Sequence, residues 1–241
     1  MTVVTTLPDP RAAAEVAAQE LADAIAGAVA DRGAAHVALS GGSTPTRAYE
    51  LLGPLVSDWE PVELWYADER CVGPDDAESN HLLVAETLLA AIASAGGGRV
   101  PPIEHRVLGE LGAEEAASLY AGELSGRIAA RADGLPVLDV ALLGIGEDGH
   151  TASLFPGFPQ LDAHGEICEP VHDSPKPPPD RVTLSLDVLN ASRSLLLLAT
   201  GTGKADALAR ALAGEDRDVP ASLLRRDRLH VVCDAAAAPG P

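Results

Sequence analysis

Leu138-Asp139-Val140-Ala141-Leu142-Leu143-Gly144-Ile145-Gly146-Glu147-Asp148-Gly149-His150 is the stretch that sets the class of fold. Its first half, residues 138–143, is nearly all apolar and too short for a helix. That predicts a strand buried on both faces, as in a parallel sheet. A glycine-rich turn follows, then a short helix limited by Pro156. Similar short apolar runs lie at 36–40, 62–67, 103–108, 194–199 and 229–233. Helical segments separate them. Asp9 and Pro10 suit N-cap and first-turn positions of an Ala-rich helix stopping near Gly33. Thr44 and Pro45 suit the same roles for a helix through about Leu52. Ser79 opens a helix that ends at glycines 96–98, and further helices are expected over 113–132 and 203–213. Strands at 167–171 and 181–186 flank a proline-rich loop, 174–179. Alternation of this kind predicts an α/β fold, single-domain over residues 1–241, with a mostly parallel doubly wound sheet and helices on both faces.

Composition narrows the function. The chain has 241 residues, 36 Asp+Glu against 17 Lys+Arg, and a formal net charge of −19. Such a field repels polyphosphates and anionic bilayers, so neither a nucleic-acid partner nor a membrane partner is expected. No apolar run reaches the ~18–20 residues needed to span a bilayer. The N-terminus lacks a basic region followed by an apolar stretch, so a cytoplasmic location is expected. Cys71, Cys168 and Cys233 form no metal-ligand spacing and read as reduced thiols. Lysine is nearly absent: Lys176 and Lys204 are the two present.

Four polar segments each follow an expected strand: 40–45, 68–70, 144–150 and 200–204. In an open parallel sheet, ligands bind beyond the carboxyl ends of the strands, so these segments are expected to converge on one crevice. Gly41, Gly42, Ser43 and Thr44 offer backbone N–H groups and hydroxyls before a helix N-terminus, a combination suited to phosphate; a plain capped turn is the alternative. The segment at Lys204 lacks the leading glycine of a Walker loop, and Ala205 stands where Ser or Thr is needed. Lys204 beside two glycines still suits a compact phosphate monoester. Residues 144–149 match GxGxxG literally, but Glu147 and Asp148 would sit where a pyrophosphate belongs, which argues against a dinucleotide. His150, next to those carboxylates, suits a general base at neutral pH. Ser43 fails the nucleophile-elbow pattern because Pro45 replaces its last glycine.

These residues resemble the 6-phosphogluconolactonase family. The resemblance rests on residues 39–45 (LSGGSTP), 65–70 (WYADER) with Ser79 and Asn80, 144–156 (GIGEDGHTASLFP) and 176–184 (KPPPDRVTL), and runs from about Arg11 to Asp234. It implies a three-layer, Rossmann-like fold and hydrolysis of 6-phospho-D-glucono-1,5-lactone to 6-phospho-D-gluconate, the second step of the oxidative pentose phosphate pathway. No metal or organic cofactor is implied. His150 would activate water and Asp148 would hold its ring. Arg70 and Arg181 would meet phosphate or the developing oxyanion, and Asp68 would meet sugar hydroxyls or position Arg70. Gly41, Gly42, Ser43, Thr44 and Lys204 would hold the 6-phosphate. The partner is thus a small sugar-phosphate lactone, and a monomer or a homodimer is equally compatible. Glucosamine-6-phosphate deaminases share parts of the pattern. They carry Tyr where this chain has Arg70 and an acid where residues 151–156 have none. A catalytically silent sugar-phosphate sensor is the other alternative.

Overall fold

The computed structural model describes residues 2–240. Its main sheet has seven parallel strands in the order β1-β10-β9-β6-β2-β3-β5. These are β1 (Val3–Leu7), β2 (Ala35–Leu39), β3 (Val62–Tyr66), β5 (Ile103–Glu104), β6 (Val140–Gly144), β9 (Ser194–Ala199) and β10 (Leu229–Asp234). Central strands β6 and β9 are buried along nearly their whole length, which requires cover on both faces. A second, antiparallel sheet, absent from the sequence expectation, has the order β4-β8-β7. It consists of β4 (Asp68–Arg70), β7 (Cys168–Val171) and β8 (Arg181–Leu184).

Helix α1 (Pro10–Arg32) starts and stops as its sequence dictates. Asp9 accepts from the backbone N–H of Ala12 at 2.9 Å, and Gly33 takes the left-handed conformation, φ 80°, that closes the last turn onto Val29. Its apolar stripe, including Ala13, Ala17, Leu21 and Ile25, is buried against the sheet. Helix α2 (Thr46–Leu55) packs beside α1. It begins one residue later than expected, and Thr44 makes no capping bond; Pro45 occupies the cap position. The segment 80–94 is one continuous helix. It runs from α3 (Asn80–Val84) through a π turn (Ala85–Leu89) to α4 (Ala90–Ser94), and Ser79 caps it as expected. Helix α5 (Ala113–Arg127) packs against β7 and β8. The short α6 (Leu186–Ala191) and α7 (Ala205–Ala213) complete the described helices.

Four further expectations are corrected. Residues 145–156 are turns, not a helix: the segment folds on itself through Gly149 to Gly146 and a bridge between Thr151 and Leu154. Strand β5 stops at Glu104, four residues before the expected end at 108, although the His105 N–H still donates to the Leu64 carbonyl at 2.9 Å. Helix α5 ends at Arg127, five residues before the expected end at 132. The strands around the proline-rich loop join the small sheet rather than the large one. Among the described residues no helix is long and apolar enough to cross a membrane.

Candidate active site

The carboxyl ends of β2, β6 and β9 open into a cavity of about 790 Å³. Residues from all four polar segments line it, and so does the proline-rich loop. The site is best understood from its anchors inward. Tyr49, fully buried in α2, donates to the carbonyl of Ser40 at 2.7 Å and accepts from its N–H at 3.0 Å. Ser40 in turn donates to Leu142 on β6 at 2.8 Å. The loop 41–45 therefore leaves a fixed point. Gly41 is obligatory there: a Cβ would come within 1.7 Å of Asn80 Oδ1.

Asp68 and Glu69 are neighbours on β4 with opposite fates, because successive strand residues face opposite sides. Asp68 lines the cavity. It accepts from Ser153 at 2.6 Å and from Asn80 Nδ2 at 3.3 Å, with Arg181 3.9 Å away. Glu69 turns into the protein and accepts from the N–H groups of Asn80 and His81 at 2.8 Å and from Ser79 at 3.1 Å. It is an internal anion at the N-terminus of the 80–94 helix. Burial pushes its carboxyl up, and those N–H groups pull it part of the way back.

His150 sits at the end of the glycine turn. Its Nδ1 is 2.5 Å from Asp148 Oδ1, and its ring packs on Phe155 with centroids 4.7 Å apart. Gly146 makes this contact possible, since a Cβ there would lie 2.0 Å from His150 Nδ1 and 2.4 Å from Asp148 Oδ1. Gly149, φ 86°, holds the left-handed turn that returns the chain, and its carbonyl accepts from Ala221 at 3.0 Å. Burial alone would raise the Asp148 carboxyl. The hydrogen bond to His150 and the charges of His150 and Lys176 outweigh it and hold the group well below the usual range. Asp148 is thus held as an ionised carboxylate against His150 Nδ1.

The cavity is lined by six basic residues, Arg11, Arg47, Arg70, Lys176, Arg181 and Lys204, with Asp68 and Glu147 as its acids. A chain of net charge −19 has thus placed a positive patch at one spot. The two lysines of the chain both belong to it. Lys176 was absent from the sequence-derived set, although its rarity was the signal. It lies at the rim, 3.8 Å from Asp148. Lys204 is held below its usual range by burial first and by Lys176 second, against the pull of Glu147 and Asp148. Gly42 and Ser43 line the cavity and are exposed at its mouth.

The two arginines on adjacent strands differ. Arg181 is buried, and its guanidinium donates to the carbonyls of Lys176 at 2.9 Å, Pro177 at 3.3 Å and Pro178 at 3.1 Å. It holds the proline-rich loop, and so Lys176, against the cavity. Arg70 donates to the Glu78 carbonyl, but its buried Nε has no hydrogen-bond partner among the described residues. Asn80 Oδ1 is likewise buried without one. Cys71 does not line the cavity, and burial, aided by Asp180, pushes its thiol up to about 11, away from nucleophilic use.

Fold and site define an α/β enzyme scaffold with a histidine–aspartate pair facing a cationic pocket. The chain belongs to the family described as glucosamine-6-phosphate isomerases/6-phosphogluconolactonase, whose model matches residues 8–233. It is 42% identical to the human 6-phosphogluconolactonase over 225 residues, covering 86% of this chain and 83% of that one. It is 38% identical to the 6-phosphogluconolactonase of Mycobacterium tuberculosis over 219 residues, 89% of this chain and 88% of that one. The structure of a 6-phosphogluconolactonase from Shewanella baltica superposes with a TM-score of 0.79 at 31% identity, covering 97% of each chain. A monomeric glucosamine-6-phosphate deaminase shares the fold at 22% identity, with a TM-score of 0.78 over 98% of each chain.

Proposed function

We propose that the chain, acting as one catalytic unit, hydrolyses 6-phosphogluconolactone to 6-phosphogluconate. Its curated relatives carry the lactonase name. The observation that carries the mechanism is the 2.5 Å pair of His150 and Asp148 at the edge of the cationic cavity. Asp148 receives Nδ1–H, so Nε2 is the basic atom. It takes a proton from a water as that water attacks the lactone carbonyl. The carbonyl oxygen becomes an oxyanion, for which Arg70, a cavity residue whose buried Nε has no hydrogen-bond partner among the described residues, is the donor assigned. When the intermediate collapses, the bond from the carbonyl carbon to the ring oxygen breaks, and His150 returns the proton to that oxygen. The product acid then ionises and one proton leaves to solvent.

The 6-phosphate is assigned to the N–H groups and hydroxyls of Gly41, Gly42, Ser43 and Thr44, with Lys204 and Lys176 as counter-charges. Asp68, held by Ser153 and Asn80, accepts from sugar hydroxyls. Arg181 acts through the loop it holds. A lactone is an activated ester, so a positioned base supplying roughly 10²–10⁴-fold is a large part of the acceleration required. No covalent intermediate enters this scheme. Residues 151–156 offer no carboxylate for the ring opening of an amino sugar. The chain is expected to work in the cytoplasm as a monomer or homodimer.

The test is a paired assay on wild type. Freshly made 6-phosphogluconolactone should release acid far above its spontaneous rate, and glucosamine 6-phosphate should release no ammonia. Ammonia from the amino sugar without acid release from the lactone would overturn the assignment.

A further inference from the structure

The parallel strands have a second end, and it too carries cations. A separate cavity of about 400 Å³ lies at the amino ends of β9 and β10, and Arg131, Arg193, Arg225 and Arg228 line it. No carboxylate lines it among the described residues. This chain carries 36 acids to 17 bases, so four of its arginines gathered around one hollow, against three aspartates beside it, is a departure from its own composition.

The arginines come from separate segments that main-chain bonds tie together. Arg193 enters β9 with its N–H on the Leu138 carbonyl at 2.9 Å. The Arg228 carbonyl accepts from Leu195 at 2.9 Å. The Arg225 N–H is held by Asn190 at 2.7 Å, and that of Arg131 by the Leu135 carbonyl at 2.9 Å. The guanidiniums are therefore presented by a fixed frame. Arg228 donates to the carbonyls of Ala191 and Ser192, at 3.1 and 2.7 Å, and pairs with no carboxylate among the described residues. Arg131 and Arg225 pair with exposed neighbours, Asp133 at 3.0 Å and Asp227 at 2.7 Å. Arg193 reaches Asp139 at 3.3 Å, a carboxylate already engaged by Arg32 at 2.9 Å. The exposed pairs of Arg131 and Arg225 contribute only about 0–1 kcal/mol, so a multiply charged oxyanion can displace them; Arg193 can turn to it because Arg32 and the His36 N–H keep the buried Asp139 satisfied. Guanidinium forks match phosphate oxygens bidentately. Small apolar walls, Val137 and Ala191 among them, leave room for a carbon skeleton.

We propose that this cavity is a second anion site, which takes a small organic phosphate carrying at least two negative charges. It lies about 20 Å from the candidate active site, the length of the six-residue strand β9.

Calorimetric titration of the full chain with inorganic pyrophosphate at low salt tests this. Arg131→Gln/Arg193→Gln is expected to weaken one binding event at least tenfold while leaving its melting temperature and lactone turnover at wild-type values. Lys204→Ala is expected to retain that same event. Should the double variant fold poorly, Arg131→Gln alone, on an exposed turn, is expected to weaken the event at least threefold. Wild type giving no binding heat would overturn the proposal. So would titrations unchanged by the arginine substitutions, or a single event that disappears in Lys204→Ala.

Discussion

Residues 195–199 of β9 are all apolar and all buried, whereas β4 consists of Asp68, Glu69 and Arg70. The large sheet is a framework made of surface withdrawn from water. β4 in the small sheet is all charged, and Arg181 on β8 adds a further charge; each of these side chains needs partners, and finds them around the site: Ser153 for Asp68, the 80–94 helix for Glu69, the proline-rich loop for Arg181. The large sheet supplies the packed framework, with the glycine loops, His150 and Lys204 following its strand ends, and the small sheet adds Asp68, Arg70 and Arg181 to the same cavity. Substitutions inside the large sheet are expected to act on stability, and substitutions of the cavity side chains on turnover.

Short of removing the base itself, the largest effect on turnover is expected from Gly146→Ala. The added Cβ occupies the space of the His150–Asp148 contact, and displacing that pair by about 1 Å should cost about 10²-fold in kcat. Steady-state assay with a circular dichroism control checks it. Next comes Lys204→Ala, which removes a half-buried charge from the phosphate subsite. Loss of a charged hydrogen bond, about 1.5–3 kcal/mol, should raise KM roughly 10–100-fold with kcat little changed. Lys176→Ala should act in the same direction but more weakly, since that side chain is 45% exposed at the rim and its charge is better screened.

A pH effect sharpens the contrast. The Asp148 carboxyl is depressed in the folded chain. Such a group contributes stability above its unfolded pKa, near ~3.9, and loses it as pH falls through the folded value. Asp148→Asn should therefore melt below wild type near neutral pH, and the gap should close as pH falls below about 4, read by thermal melts across pH. The smallest effect on turnover belongs to the framework. Leu197→Ala, in the middle of β9, should cost about 2–5 kcal/mol of stability while kcat/KM per folded molecule stays at the wild-type value.

The same contrast explains what could be read without coordinates. Apolar runs such as 138–143 and 194–199 announce buried parallel strands, and Asp9-Pro10 and Ser79 announce helix starts, because burial and capping are written locally. Strand β4 is three charged residues and carries no apolar alternation, so its pairing with β8 depends on contacts more than 110 residues away. β1 is an exposed edge strand, with Val3 and Val4 facing solvent, so it lacks the buried apolar run by which the central strands are legible. Residues 151–156 misled toward a helix: Ala152 takes a left-handed backbone, φ 49°, that no propensity argument anticipates. At the site, the glycine loops, His150 and Lys204 stood out by composition. The rarity of Lys176 was legible too, but its place at the cavity was not, because that depends on Arg181 holding three successive carbonyls.

The central claim is that His150 moves the proton on a scaffold that does not depend on it. Acid release from fresh 6-phosphogluconolactone, followed for wild type and His150→Ala with spontaneous hydrolysis subtracted, tests this directly. The expected result is a fall in kcat of roughly 10²–10⁴-fold with KM and melting temperature close to wild type. Acid release at the wild-type rate from the folded variant would contradict it and move the base to Asp68 or Glu147.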